Sequence, residues 1–266
     1  RWAAILPLIF VASVALGATT KYTSVAPEKY SSNANVVAHV MLVDAFTGKE
    51  VTDDEIPGYS KVVFELAAFD ENEECRGTNV SKASPFGPRV GLTVQCGMNV
   101  QTHFRVVFTL NGCEYDVRTS DNLLIVSQER KGTYQDPYVV AIDVVNIKPT
   151  QGYQTYFDSK QNYLLPPGLN GYTYSIDGSA LTCNKSYDSE SSFKPSGLEV
   201  KGAVLPKGTA AVLYTKSDAE TITIVATEDE GYAPAARSSL YGTDDDTEIT
   251  AAEGEKHYIL GVGSKG

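Results

Sequence analysis

Short apolar runs, cut at close intervals by turn residues, constrain this chain more than any other feature. From about Ala34 onward, β-branched and aromatic stretches are separated by clusters of Gly, Pro, Asn and Asp, and helical periodicity is almost absent. Residues 35–44 (NVVAHVMLVD), 61–69 (KVVFELAAF), 90–96, 102–110, 122–127 and 138–147 read as strands, and 198–205, 209–215, 220–227 and 256–263 resume the series. Between 102–110 and Cys113 stands Asn111-Gly112, two residues that tolerate the positive φ a type I′ turn requires. This predicts a hairpin pairing 102–110 with 113–118. Strands at such frequency predict a mainly β fold, a β-sandwich head or two packed β-domains.

The texture changes near 148. Residues 148–197 are rich in Tyr, Ser, Gly and Pro and read as long loops with brief strands. The expected division is a hydrophobic N-terminal assembly segment (1–30), a first β-sandwich region (31–148), and a loop-rich second β-region (149–266). Of sixteen tyrosines, Tyr153, Tyr156, Tyr163, Tyr172, Tyr174 and Tyr187 crowd into that loop-rich stretch. Tyr buries a large ring while keeping its hydroxyl wet, so these residues either form a contact surface for subunits, glycans or a host, or simply decorate sheet faces.

The formal net charge is −11, with a surface field that repels phosphate backbones and anionic headgroups, so nucleic acid is not an expected partner. Cys75, Cys96, Cys113 and Cys183 lack the C-x-x-C spacing of metal sites. Beside a hydrophobic N-terminus they are read as one or two disulfides in an oxidising compartment, with free buried thiols as the alternative. Full pairing would tie Cys183 back to the first half. Asn79 and Asn184 begin N-x-S sequons and are the glycosylation candidates.

From Trp2 to Ala18 the chain carries no charge. A secretory signal is one reading, with "ALGA" as a small-x-small cleavage site. A membrane anchor is a second, since seventeen helical residues span roughly 26 Å of a bilayer core about 30 Å thick. The third is a retained apolar helix that waits in the membrane and then packs among copies of itself. "AAILPLIFVASVALG" (3–17) resembles the N-terminal segment of archaeal type IV pilins, in which an early Ala/Ile–x–Pro–Leu/Val–Ile step leads into an aliphatic helix. The resemblance implies an assembly helix carrying Trp2, Ile5, Leu6, Leu8, Ile9, Phe10, Val11, Val14 and Leu16, with a β-rich head behind it. It also implies a homopolymer that passes through the membrane before assembly, stands at the cell surface, and meets surface glycans or neighbouring cells. A related reading joins subunits by a donated strand, for which 19–30 (TTKYTSVAPEKY) is the candidate donor.

Catalytic patterns are scarce. His39, His103 and His257 lie in or beside expected strands, and neither a G-x-S-x-G elbow nor an H-E-x-x-H pair is present. A non-enzymatic structural subunit is therefore expected, without a cofactor. Acidic turns at 51–55, 70–74, 227–230 and 243–248 offer oxygen ligands, and Asp244, Asp246 and Glu248 are the residues a calcium ion would use. The alternative is an anchored or secreted β-sandwich adhesion protein.

Overall fold

The computed structural model describes residues 19–177, 180–216, 221–230, 239–240 and 242. The expected assembly helix, Asp244, Asp246, Glu248, His257 and the strand at 256–263 lie outside the described residues. What is described is mainly β, with two single-turn 3-10 helices at Pro27–Lys29 and Tyr59–Lys61. Among the described residues no helix is long and apolar enough to cross a membrane.

The strands are β1 Ser32–Asp44, β2 Glu65–Asp70, β3 Cys75–Val80, β4 Val90–Cys96, β5 Asn99–Leu110, β6 Cys113–Val126, β7 Arg130–Lys131, β8 Tyr138–Ile147 and β9 Tyr153–Tyr156. They continue as β10 Asn162–Leu165, β11 Asn170–Asp177, β12 Ala180–Tyr187, β13 Ser192–Phe193, β14 Val200–Lys201, β15 Ala203–Leu205, β16 Ala211–Tyr214 and β17 Ile222–Thr227. A central sheet runs β15-β10-β17-β8-β1-β4, with β7 beside β1. A second sheet runs β3-β2-β5-β6, an outer sheet runs β12-β11-β16-β9, and β13-β14 form a ribbon.

Period-2 alternation explains the layering. On β1, Ala34, Val36, Ala38, Val40 and Leu42 turn into the main core, where they meet Leu66, Ala68, Phe104, Val106 and Phe108 of the second sheet. On β8, Val140, Ile142 and Val144 join that core, whereas Val145 and Ile147 face the other way. The same split divides Leu164 from Tyr163 and Leu165, Val204 from Leu205, and Val225 from Ile224. The outer sheet closes this opposite side with Ala211 and Leu213. The central sheet is thus apolar on both faces along β8-β17-β10-β15.

Two expectations change here. The texture shift at 148 does not divide the sheet system, because β17 pairs with β8 from Ile222↔Ile147 to Val225↔Val144, and β10 pairs with β17. The stretch 148–197, expected as long loops with brief strands, holds the eight-residue hairpin strands β11 and β12 and most of the outer sheet. The Asn111-Gly112 hairpin is as expected: Leu110 opposes Cys113, and the turn residues have φ of 49° and 78°. The second sheet meets the central one at a close corner, where a Cβ on Gly77 would lie 2.1 Å from the Thr93 carbonyl oxygen.

The disulfide expectation is also corrected, since all four cysteines are free. Cys75 packs with Tyr22 and Phe69 on the outer side of the second sheet, whereas Cys96 is in the main core. Cys113 lies at the β5–β6 turn, and Cys183 is exposed on β12 of the outer sheet. Cys75 and Cys96 thus belong to different apolar clusters, on opposite sides of the second sheet.

Candidate functional site: a clamped N-terminal arm and a tyrosine face

Residues 19–31 form an arm that joins the apolar run to β1. It is not a ladder strand. Side chains of the second sheet hold it on the face turned away from the main core, where Ala67, Phe69 and Val107 form a small cluster under Tyr22. The Tyr22 ring meets Phe69 edge-on at 4.9 Å.

Charged residues on that face do the holding. Glu65 of β2 accepts from the backbone N–H of Lys21 at 2.6 Å and of Tyr22 at 2.9 Å, and from Thr78 Oγ1 at 2.7 Å. Tyr22 Oη donates to Asp116 Oδ2 at 2.5 Å. Arg105 Nε donates to Asp116 Oδ1 at 2.9 Å and to Tyr22 Oη at 3.2 Å. The other end of the guanidinium grips Asp229 at 2.7 and 2.9 Å, a bidentate pair across 124 positions of sequence. Arg105 is 1% exposed and Asp116 0%.

Further along the arm, Thr78 N donates to Ser24 Oγ and Val25 N to the Cys75 carbonyl. Lys29 and Tyr30 both donate to Glu74, and the Arg76 guanidinium lies 3.7 Å from the Tyr30 ring centroid while donating to Asp70. At its start, Lys21 Nζ pairs with Glu114 at 2.7 Å. The arm is fixed from end to end.

Burial sets the electrostatics. It pushes the Asp116 carboxyl up to about 6 against the pull of Arg105, and it raises the Tyr22 phenol further, helped by the Asp116 charge. Arg105 is opposed by its own burial but is held above its ordinary value by Asp229 and Asp116. Such a network holds one geometry because each member would be left with a costly bare charge without the others.

His103 sits on the same face, stacked on Phe69, with Nε2 buried and no hydrogen-bond partner; Glu73 Oε2 stands 3.5 Å away. Burial, then the Arg118 charge, hold its pKa below the ordinary value, and Glu73 opposes them. The unfolded chain therefore takes up a proton near pH 6.5 that the fold refuses. Stability from this group is complete above that pH and falls as pH drops towards the lowered value, by at most about 1.4 kcal/mol per unit. In urea titrations at pH 7.5 and 5.5, His103→Gln should lose less stability on acidification than the parent. An equal loss would show that His103 takes up its proton as readily in the fold as in the unfolded chain.

The second feature is the solvent face of the outer sheet. Register places Tyr153 opposite Tyr214, Tyr172 opposite Val212 and Lys185, Tyr174 opposite Cys183, and Ile176 opposite Leu181, all on one face. Tyr153 and Tyr214 centroids are 4.8 Å apart, and Tyr172 stands 6.2 Å from Tyr214. Ile176 is 52% and Leu181 58% exposed. Burial, then Cys183 beside it, push Tyr174 up to about 12. Of the six tyrosines singled out in sequence, Tyr153, Tyr172 and Tyr174 lie on this face. Tyr156, Tyr163 and Tyr187 pack inward against the second core.

The other expected sites do not converge. Asn79 Nδ2 already donates to the Gly91 carbonyl at 2.6 Å, and Asn184 Nδ2 donates to Ser175 Oγ at 3.2 Å. Among the described residues no group of three His, Cys, Asp or Glu side chains is arranged to hold a metal ion. The acidic turns there serve the fold: Asp53 accepts from Ser60, Asp70 and Glu74 from Arg76, Lys29 and Tyr30, and Asp229 from Arg105. Glu65, Arg105 and Asp116 were not among the expected site residues. Their signal is a charge set inside an apolar strand run, in KVVFELAAF, THFRVVFTL and CEYDV. Comparison with protein-family models, curated proteins and solved structures gives no match for this chain.

Proposed function

We propose that this chain is the structural subunit of an extracellular cell-surface filament, assembling through its N-terminal apolar segment and presenting its β-head to solvent. The observation that supports this most is the clamp. The arm that follows directly on the apolar run is tied to the head by buried carboxylates and an arginine, so load on the segment passes into the sheets through many bonds sheared together. A freely jointed linker would let the head swing. The apolar segment supplies the association by burial, roughly 1.5–3 kcal/mol for each large side chain removed from water, less where the competing environment is lipid. No catalytic step is assigned to the chain, and neither a cofactor nor nucleic acid enters the mechanism. The partners are other copies of the chain, and the membrane before assembly.

The tyrosine face favours a second reading, a membrane-anchored or secreted β-sandwich adhesion protein that meets glycans or neighbouring cells through those rings. N-terminal sequencing of the mature protein tests the first reading. Retention of residues 2–18 is expected, and a start at Thr19 would reduce the run to a discarded signal and overturn it.

A further inference from the structure

The clamp is built almost wholly by the head. Glu65, Thr78, Arg105, Asp116 and Glu114 belong to β2, β3, β5 and β6 and are placed by the sheet ladder, independently of the arm. The arm adds a short motif that fits them: two consecutive backbone N–H groups for one carboxylate, a phenol for Asp116, and an ammonium for Glu114. These are the elements of a receptor and its peptide.

We propose that this receptor takes the arm of a second copy, so that Lys21 and Tyr22 of one subunit seat on Glu65, Asp116 and Arg105 of the next. The proposal rests on the filament reading and names its joint. Three observations carry it. The complementarity is chemical and local, an acidic and phenol-accepting site against a basic, tyrosine-bearing arm, and exchange between copies preserves every bond. Side chains make the other contacts of the arm at 19–25, and the one bond from its backbone to strand backbone among the described residues runs from Val25 N to the Cys75 carbonyl, so its release breaks no ladder. Finally, the thirteen residues 19–31 precede β1 and, freed at Tyr30–Ser31, reach about 45 Å when extended, enough to span to a neighbouring head. Apolar segments gathered in one bundle hold each arm near neighbouring clamps at high effective concentration. Exchange from each subunit to the next is heterologous, and such contacts build open filaments, where the rotation does not close into a ring, rather than closed pairs.

The Lys21–Glu114 pair gives the test, because it is the exposed and weakest contact of the clamp, and the bonds of the Lys21 and Tyr22 backbone to Glu65 and of the Tyr22 hydroxyl to Asp116 seat the arm without it. Full-length Lys21→Cys and Glu114→Cys chains, both carrying Cys113→Ser and Cys183→Ser, are mixed during assembly and treated with a short bis-maleimide. Unchanged urea midpoints confirm that both fold. A crosslinked species joining the two different chains, and a ladder of higher multiples from the Lys21→Cys/Glu114→Cys double variant, are expected. Fibres without any intermolecular product would overturn arm exchange and leave the filament reading standing. Intermolecular product from protein that forms no fibres would keep exchange and overturn the filament. A product that stops at a closed dimer would overturn the head-to-tail arrangement.

Discussion

Arg105→Ala is expected to cost about 3–5 kcal/mol of stability, because truncating one member of a buried ionic network leaves its partners as uncompensated charges. Asp116 is fully buried and Asp229 largely so, and the variant loses the four bonds the guanidinium gives to these two residues and the one it gives to Tyr22. Urea denaturation at pH 8 reads the loss. Part of it should return on acidification: burial already holds Asp116 well above an ordinary carboxyl, and removal of Arg105 raises it further. The folded variant then takes up a proton before the unfolded chain does, and folding regains stability as pH falls towards about 4. Lys194→Ala is the control, since its pair with Glu199 is exposed on both sides and should change stability by under about 1 kcal/mol. An Arg105→Ala loss as small as that of Lys194→Ala would mean the network does not hold the arm and the head together.

The parts of the fold that could be read in advance are those where one face or both are apolar. β4 and β8 coincide with the expected strands, and the β5–β6 turn follows from Asn111-Gly112, because alternation and turn chemistry are local properties. β3, with sequence CRGTNV, carries turn-forming residues for tertiary reasons. Gly77 lets Thr93 approach, Asn79 bonds to Gly91, and Arg76 pairs with Asp70. In the outer sheet β16 falls within an expected strand, whereas β9, β11 and β12 read as loop because they mix Tyr with Thr, Ser, Gln and Gly, so neither face looks aliphatic; Tyr156 and Tyr187 supply the apolar surface there instead. The continuity of the central sheet across 148 is a long-range pairing with no local mark. The clamp was half legible: charges inside apolar strands announce an unusual environment, but nothing near Arg105 points to Asp229 or to Tyr22.

Assembly rests on the apolar segment. Phe10 lies in the middle of the run, and a carboxylate there costs roughly 2.5–3.5 kcal/mol even in the helix centre of a membrane span, with packing losses added in a bundle. The substitution is far in sequence from the head strands, so its urea midpoint should not move. Negative-stain electron microscopy of parent and Phe10→Asp chains, purified full length at equal concentration, is the direct measurement. Fibres from the parent and only isolated particles from Phe10→Asp are expected; fibres from Phe10→Asp in normal yield, or particles alone from the parent, would contradict assembly through this segment.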